Sequence, residues 1–92
     1  MTITFKAALT KLENYELAIV WLDIRHKNQP DELKKYITFY KDLFKLDNVA
    51  IMMLDEKEEP HYFGKKDVVE LLKTKLWKQF PWQEFSLDKG EK

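Results

Sequence analysis

Two short apolar runs limit the folds open to this sequence more than any other feature. Leu17-Ala18-Ile19-Val20-Trp21-Leu22-Asp23-Ile24 is one, and Val49-Ala50-Ile51-Met52-Met53-Leu54 is the other. Each is too short for a buried helix and too continuously apolar for a strand with one wet face. Both therefore read as central strands, covered at least in part on both sides. Between them, Asn28-Gln29-Pro30-Asp31-Glu32 opens a helix, because proline suits a first turn and acids there suit the helix dipole. Leu33, Tyr36, Ile37, Tyr40, Leu43 and Phe44 then recur at helical spacing, with Phe39 and Leu46 widening the stripe. A helix that carries the chain from one central strand to its neighbour makes those strands parallel.

The two runs also echo each other. Ala18 to Asp23 and Ala50 to Asp55 agree at four of six places, thirty-two residues apart. At the same offset Tyr36, Ile37, Phe39, Tyr40 and Phe44 fall on Val68, Val69, Leu71, Leu72 and Leu76. Both halves thus read as strand, connection and helix with one apolar rhythm. Two elements doing the same packing job explain this better than duplication does, since a repeat architecture needs about three copies.

The flanking segments complete the topology. Ile3, Phe5, Ala7 and Leu9 alternate with Thr4, Lys6, Ala8 and Thr10, which predicts a half-buried strand. A short helix through Phe5, Ala8, Leu9 and Leu12 is the alternative. Glu13 to Glu16 forms the turn after it. Beyond the second run, Asp55 to Pro60 is a charged turn and His61-Tyr62-Phe63 a short returning strand, stopped by Gly64. Asp67 caps a last helix through Val68, Val69, Leu71, Leu72 and Leu76, and Pro81 ends it near Phe80. The expected fold is α+β in the order ββαββα: a four-stranded mixed sheet, two helices on one face, and an aromatic C-terminal tail. Residues 1–87 form the single domain, and 88–92 are expected to be disordered.

Composition narrows the chemistry. Among 92 residues, 45% are hydrophobic and thirteen are aromatic, enough for a core despite the short chain. Sixteen basic residues balance sixteen acidic ones, which argues against a broad surface for nucleic acid or anionic lipid. No cysteine is present, so disulfides, thiolate chemistry and cysteine-based zinc sites are excluded. The opening residues lack the pattern of a signal peptide, and Leu17 to Leu22 is too short to span a bilayer. A cytoplasmic protein that needs no cofactor and no membrane is the expectation.

Strand alternation carries the main functional expectation. It groups Leu17, Ile19 and Trp21 with Val49, Ile51 and Met53 on one face of the sheet. Ala18, Val20 and Leu22 then share the other face with Ala50, Met52 and Leu54. Two helices can cover one face, and the other would be an apolar patch of the kind soluble monomers rarely expose. The tail, a second copy of the chain, or a different protein must cover it. Four aromatics close together in Trp77-Lys78-Gln79-Phe80-Pro81-Trp82-Gln83-Glu84-Phe85 resemble an anchor for a partner's groove, or a tail folded back on its own core. The candidate interface is Trp21 and Met53 with Trp77, Phe80, Trp82 and Phe85. The expected function is a non-catalytic protein–protein interaction module, acting as a homodimer or as a small adaptor or inhibitor of a larger protein.

Two other classes have named residues. Asp23 and Asp55 end the two parallel strands, where ligands of such sheets gather, and His26 and His61 come closely after them. Together they are the candidate metal site of a small metal-dependent enzyme or metal-binding protein, although Asp also ends strands simply by facing water. Ser86 is the only serine and glycine occurs only at 64 and 90, which disfavours Ser/His/Asp catalysis and excludes a glycine-rich phosphate loop. Lys65, Lys66, Lys73, Lys75 and Lys78, with Trp77 and Trp82 nearby, are the nucleic-acid candidates, tempered by Asp67, Glu70 and Glu84 among them. The order of elements over residues 49–76, with Gly64 before the helix, is similar to the second half of a thioredoxin-like domain. That family's Cys-x-x-Cys is absent and no proline precedes Val49, so the similarity does not extend to redox activity.

Overall fold

The computed structural model describes residues 2–88. The two apolar runs become strands β2, Tyr15–Leu22, and β3, Asn48–Leu54, side by side and parallel. Helix α1, Pro30–Phe44, connects them after a single 3-10 turn at Ile24–His26. Strand β1, Thr2–Leu12, runs antiparallel to β2, so the N-terminal segment is a strand and not a helix. Its hairpin loop is only Glu13-Asn14, shorter than the expected turn, because Leu12 already pairs with Tyr15. Strand β4, Pro60–Phe63, returns antiparallel to β3 and leads into helix α2, Lys66–Lys73.

The tail is where the expected topology fails. After a 3-10 turn at Trp77–Gln79, Trp82–Asp88 forms a fifth strand, β5, antiparallel to β1 from Thr2↔Asp88 to Ala8↔Trp82. The sheet order is β4-β3-β2-β1-β5. The last helix stops at Lys73, short of the end near Phe80 that Pro81 suggests, and the chain beyond Pro81 is extended, paired along the edge of the eleven-residue β1. Asp88 belongs to this strand, and the expected disorder of 89–92 lies outside the described residues.

The faces are also redistributed. Leu17 pairs with Asn48, Ala18 with Val49 and Trp21 with Met52. That is one residue away from the register that the echo of the two runs suggests, and a one-residue shift sends every side chain of one strand to the opposite face. Leu17, Ile19 and Trp21 therefore share a face with Ala50, Met52 and Leu54, whereas Met53 lies on the other side. Helix α1 packs Leu33, Tyr36, Ile37 and Tyr40 over Ala18, Val20, Val49, Ile51 and Met53. Helix α2 packs Val68 and Leu72 over Leu17, Ile19, Ala50 and Met52 on the opposite face. The helices thus lie one on each side of the sheet, not together on one.

The expected bare face consequently does not exist at the centre. Residues 17–20 of β2 are at most 1% exposed and residues 49–53 of β3 at most 4%. Helix α2 is eight residues long and buries only Val68 and Leu72 against this side, so it does not cover the face alone. The aromatic tail supplies the remaining cover. Trp21 meets Trp77 at 5.3 Å and Trp82 at 5.4 Å, Phe80 packs on Trp82, and the Trp82 indole N–H donates to the Trp77 carbonyl at 2.8 Å. On the α1 side, Phe85 stacks on Phe5 at 5.5 Å and meets Phe44 edge-on at 5.4 Å.

Helix α1 ends at Lys45, which is left-handed at φ 58 and ψ 42 and donates its N–H to the Lys41 carbonyl. Glycine is the usual residue there, because a Cβ is strained in that conformation.

Chemical denaturation should register both features. Trp82→Ala removes a ring and its hydrogen bond from the cover over β2 and should destabilise the fold by about 3 kcal/mol; a loss under about 1 kcal/mol would place the ring outside the core. Lys45→Gly should raise stability by about 1 kcal/mol, since the relief of strain outweighs the added freedom of the unfolded chain.

Candidate functional site

Of the expected interface residues, Met53 is 2% exposed and packs with Leu33 and Ile51, while Phe80 is also buried. Trp21, Trp77, Trp82 and Phe85 are half-buried within the two aromatic groups described above. The structure brings Trp21, Trp77, Phe80 and Trp82 together as one cluster and leaves Met53 and Phe85 on the other face. The tail is folded back on the chain's own sheet and does not project as an anchor. Its rings are likewise not free platforms for bases: Trp77 and Trp82 both lean on Trp21, and the Lys78 ammonium sits 5.7 Å over the Trp77 ring.

The four expected metal ligands are distributed over separate local arrangements. Asp23 caps the 3-10 turn, its carboxylate accepting from the Arg25 N–H at 3.0 Å. His26 Nδ1 lies 3.6 Å from a Glu32 carboxylate oxygen, too far for a hydrogen bond, and its ring meets Tyr36 edge-on at 5.5 Å. Asp55 and His61 form a closer pair, with Nε2 3.0 Å from the carboxylate. Among the described residues, no group of three or more His, Asp or Glu side chains converges as a metal would require.

The Asp55–His61 pair has a structural explanation. One carboxylate oxygen of Asp55 accepts from the Lys57 and Glu59 N–H groups at 2.9 and 3.0 Å, and the other faces His61. The Asp side chain therefore closes the β3–β4 turn, in which Glu58 is left-handed at φ 62. The Glu59 N–H first, and the His61 ring next, hold the Asp55 carboxyl below its ordinary pKa. Nearby, burial pushes the Tyr62 hydroxyl up to about 12, and that group has no hydrogen-bond partner among the described residues.

Two surface features stand out. The first is a cleft of about 790 Å³ at the carboxyl end of β2, walled by Phe5, Trp21, Tyr36 and Phe39, with Asp23 and His26 also lining it. It opens between the start of β1, the end of β2 and helix α1. Phe39, 42% exposed, gives it an apolar lip.

The second feature is the sheet's unequal edges. Strand β4 is four residues long and begins with Pro60, which has no N–H to offer. Strand β5 is seven residues long and, among the described residues, pairs only with β1. Its outer side is a row of backbone donors and acceptors without a strand partner, the arrangement that templates pairing with another chain. Sequence reasoning missed this edge because it took residues 82–87 as a tail. The signal was there in Glu84-Phe85-Ser86-Leu87-Asp88, where polar and apolar residues alternate.

No family model matches this chain, and no curated protein or solved structure does so.

A lowered carboxyl pKa fixes the sign of one prediction. The turn closed by Asp55 is fully stabilised above the unfolded carboxyl value of about 3.9, and the contribution disappears as pH falls through the lower folded value. Asp55→Ala should therefore lower the melting temperature at pH 7, and the gap to the parent should narrow as the pH drops below about 4. A gap of constant size down to pH 2 would show that the carboxylate's charge plays no part.

Proposed function

We propose that this chain is a non-catalytic protein-interaction module whose partner adds a strand at the outer side of β5. The observation that carries this reading is the contrast between the two edges: a short β4 that starts with proline, and a seven-residue β5 paired on one side only. Soluble proteins usually blunt a long edge with lysines, prolines or bulges. From Trp82 to Asp88 there is no lysine and no proline, and the strand pairs with β1 at every step.

This reading relocates the interaction expected from the sequence. The central strands are already covered, so an exposed sheet face gives it no support. Backbone hydrogen bonding along β5 takes that place. Strand addition draws its affinity from main-chain bonds and its selectivity from the alternate side chains. Here those are Glu84 and Ser86 on one face, both exposed, and Phe85 on the other.

A photo-activated cross-linking residue at Ser86 tests the reading in cells, with one at Lys73 on α2 as control. Position 86 should give a discrete protein adduct and position 73 none. The same adduct intensity from both positions would remove β5 as the contact.

A further inference from the structure

We infer that the strand added to β5 is β5 of a second copy of this chain, paired antiparallel about a two-fold axis through Phe85. This rests on the strand-addition reading above and goes further by naming the partner and the register.

The sequence of β5 selects that register. In a two-fold antiparallel pair, residues equally distant from the axis face each other. With the axis at Phe85, Trp82 faces Asp88, Glu84 faces Ser86 and Phe85 faces itself, so all seven residues take part and no acid opposes an acid. Moving the axis to Glu84 sets Glu84 against Glu84. Moving it to Ser86 sets Glu84 against Asp88 twice. Like charges directly opposite each other are destabilising. An axis at Gln83 brings Pro81 opposite Phe85 and shortens the pairing, because proline has no N–H to give. Charge and length agree on one arrangement.

Packing supports it. Phe85 is half-buried at the margin of the α1-side core, stacked on Phe5 and in edge contact with Phe44. Facing phenylalanines on the axis join this aromatic layer to its symmetry mate, and the two five-stranded sheets become one continuous sheet. The interface is isologous, with the same strand contributed by each copy.

The test uses the whole chain in sedimentation equilibrium across a concentration series. The parent should show a reversible monomer–dimer equilibrium. Ser86→Glu sets an acid against Glu84 at two symmetric places and should weaken the dimer about tenfold. Ser86→Lys sets a lysine there and should tighten it by a similar factor. The double variant Glu84→Lys with Ser86→Glu should dimerise at least as tightly as the parent. Circular dichroism melts check that each variant folds, as expected for exposed positions. A monomeric parent, or equal shifts from Ser86→Glu and Ser86→Lys, would overturn self-pairing. In either case, a Ser86 cross-link to a protein of different mass would leave the strand-addition reading standing, and the absence of any adduct would end both.

Discussion

Closing Leu17–Val20 and Val49–Met53 to solvent on both faces is the constraint on which the rest of this architecture depends. Two adjacent parallel strands with apolar side chains above and below need a layer on each side, and 92 residues leave little chain with which to build two. The crossover helix α1 is one layer. Its fifteen residues run over the face that carries Ala18, Val20 and Ile51. The second layer is assembled from pieces: eight residues of α2, a single 3-10 turn, and the rings of Trp21, Trp77, Phe80 and Trp82. Small side chains in the sheet make this possible. Ala8 and Ala50 belong to the same cluster, and their small side chains leave room for bulkier ones above the sheet.

The strand at the C-terminus links this packing problem to the surface. Having laid its tryptophans over one face, the chain continues as β5 along β1, where Phe85 reaches the opposite face and joins Phe5 and Phe44. One segment thus contributes to both cores in succession, through nothing more than the alternation of a strand. Ordering that segment moves the sheet's boundary outward, from β1 to a strand with mixed polar and aromatic character.

Much of this was legible in the residues. The apolar runs, the spacing of Leu33, Tyr36, Ile37 and Tyr40, and Pro30 at the helix start specify strand, helix and parallel strand without ambiguity, and α1 does begin at Pro30. What the residues concealed was relative placement. Equivalent letters in the two runs suggested an equivalent register, yet Ala18 sits beside Val49 and not Ala50. Register is decided by which side chains must meet each helix, and that is a property of the assembled layers. The position of α2 was hidden for the same reason: a helix of eight residues carries an apolar stripe but no label for the face it will cover. The candidate site fared likewise. Asp55 and His61 were grouped with Asp23 and His26 as one candidate metal site, whereas in the structure Asp55 faces His61 and closes a turn. The β5 edge went unseen because the residues after Pro81 were read as a tail, whereas they form a strand.

The unequal length of the two outer strands has a consequence for growth. A sheet with long free margins on both sides can recruit neighbours without limit, which is the route to fibres. Here one margin is four residues long and starts with an imino acid. The far margin therefore offers a docking strand far fewer backbone groups than β5 does, and the brevity of one hairpin makes the two ends of the sheet unequal as templates for growth.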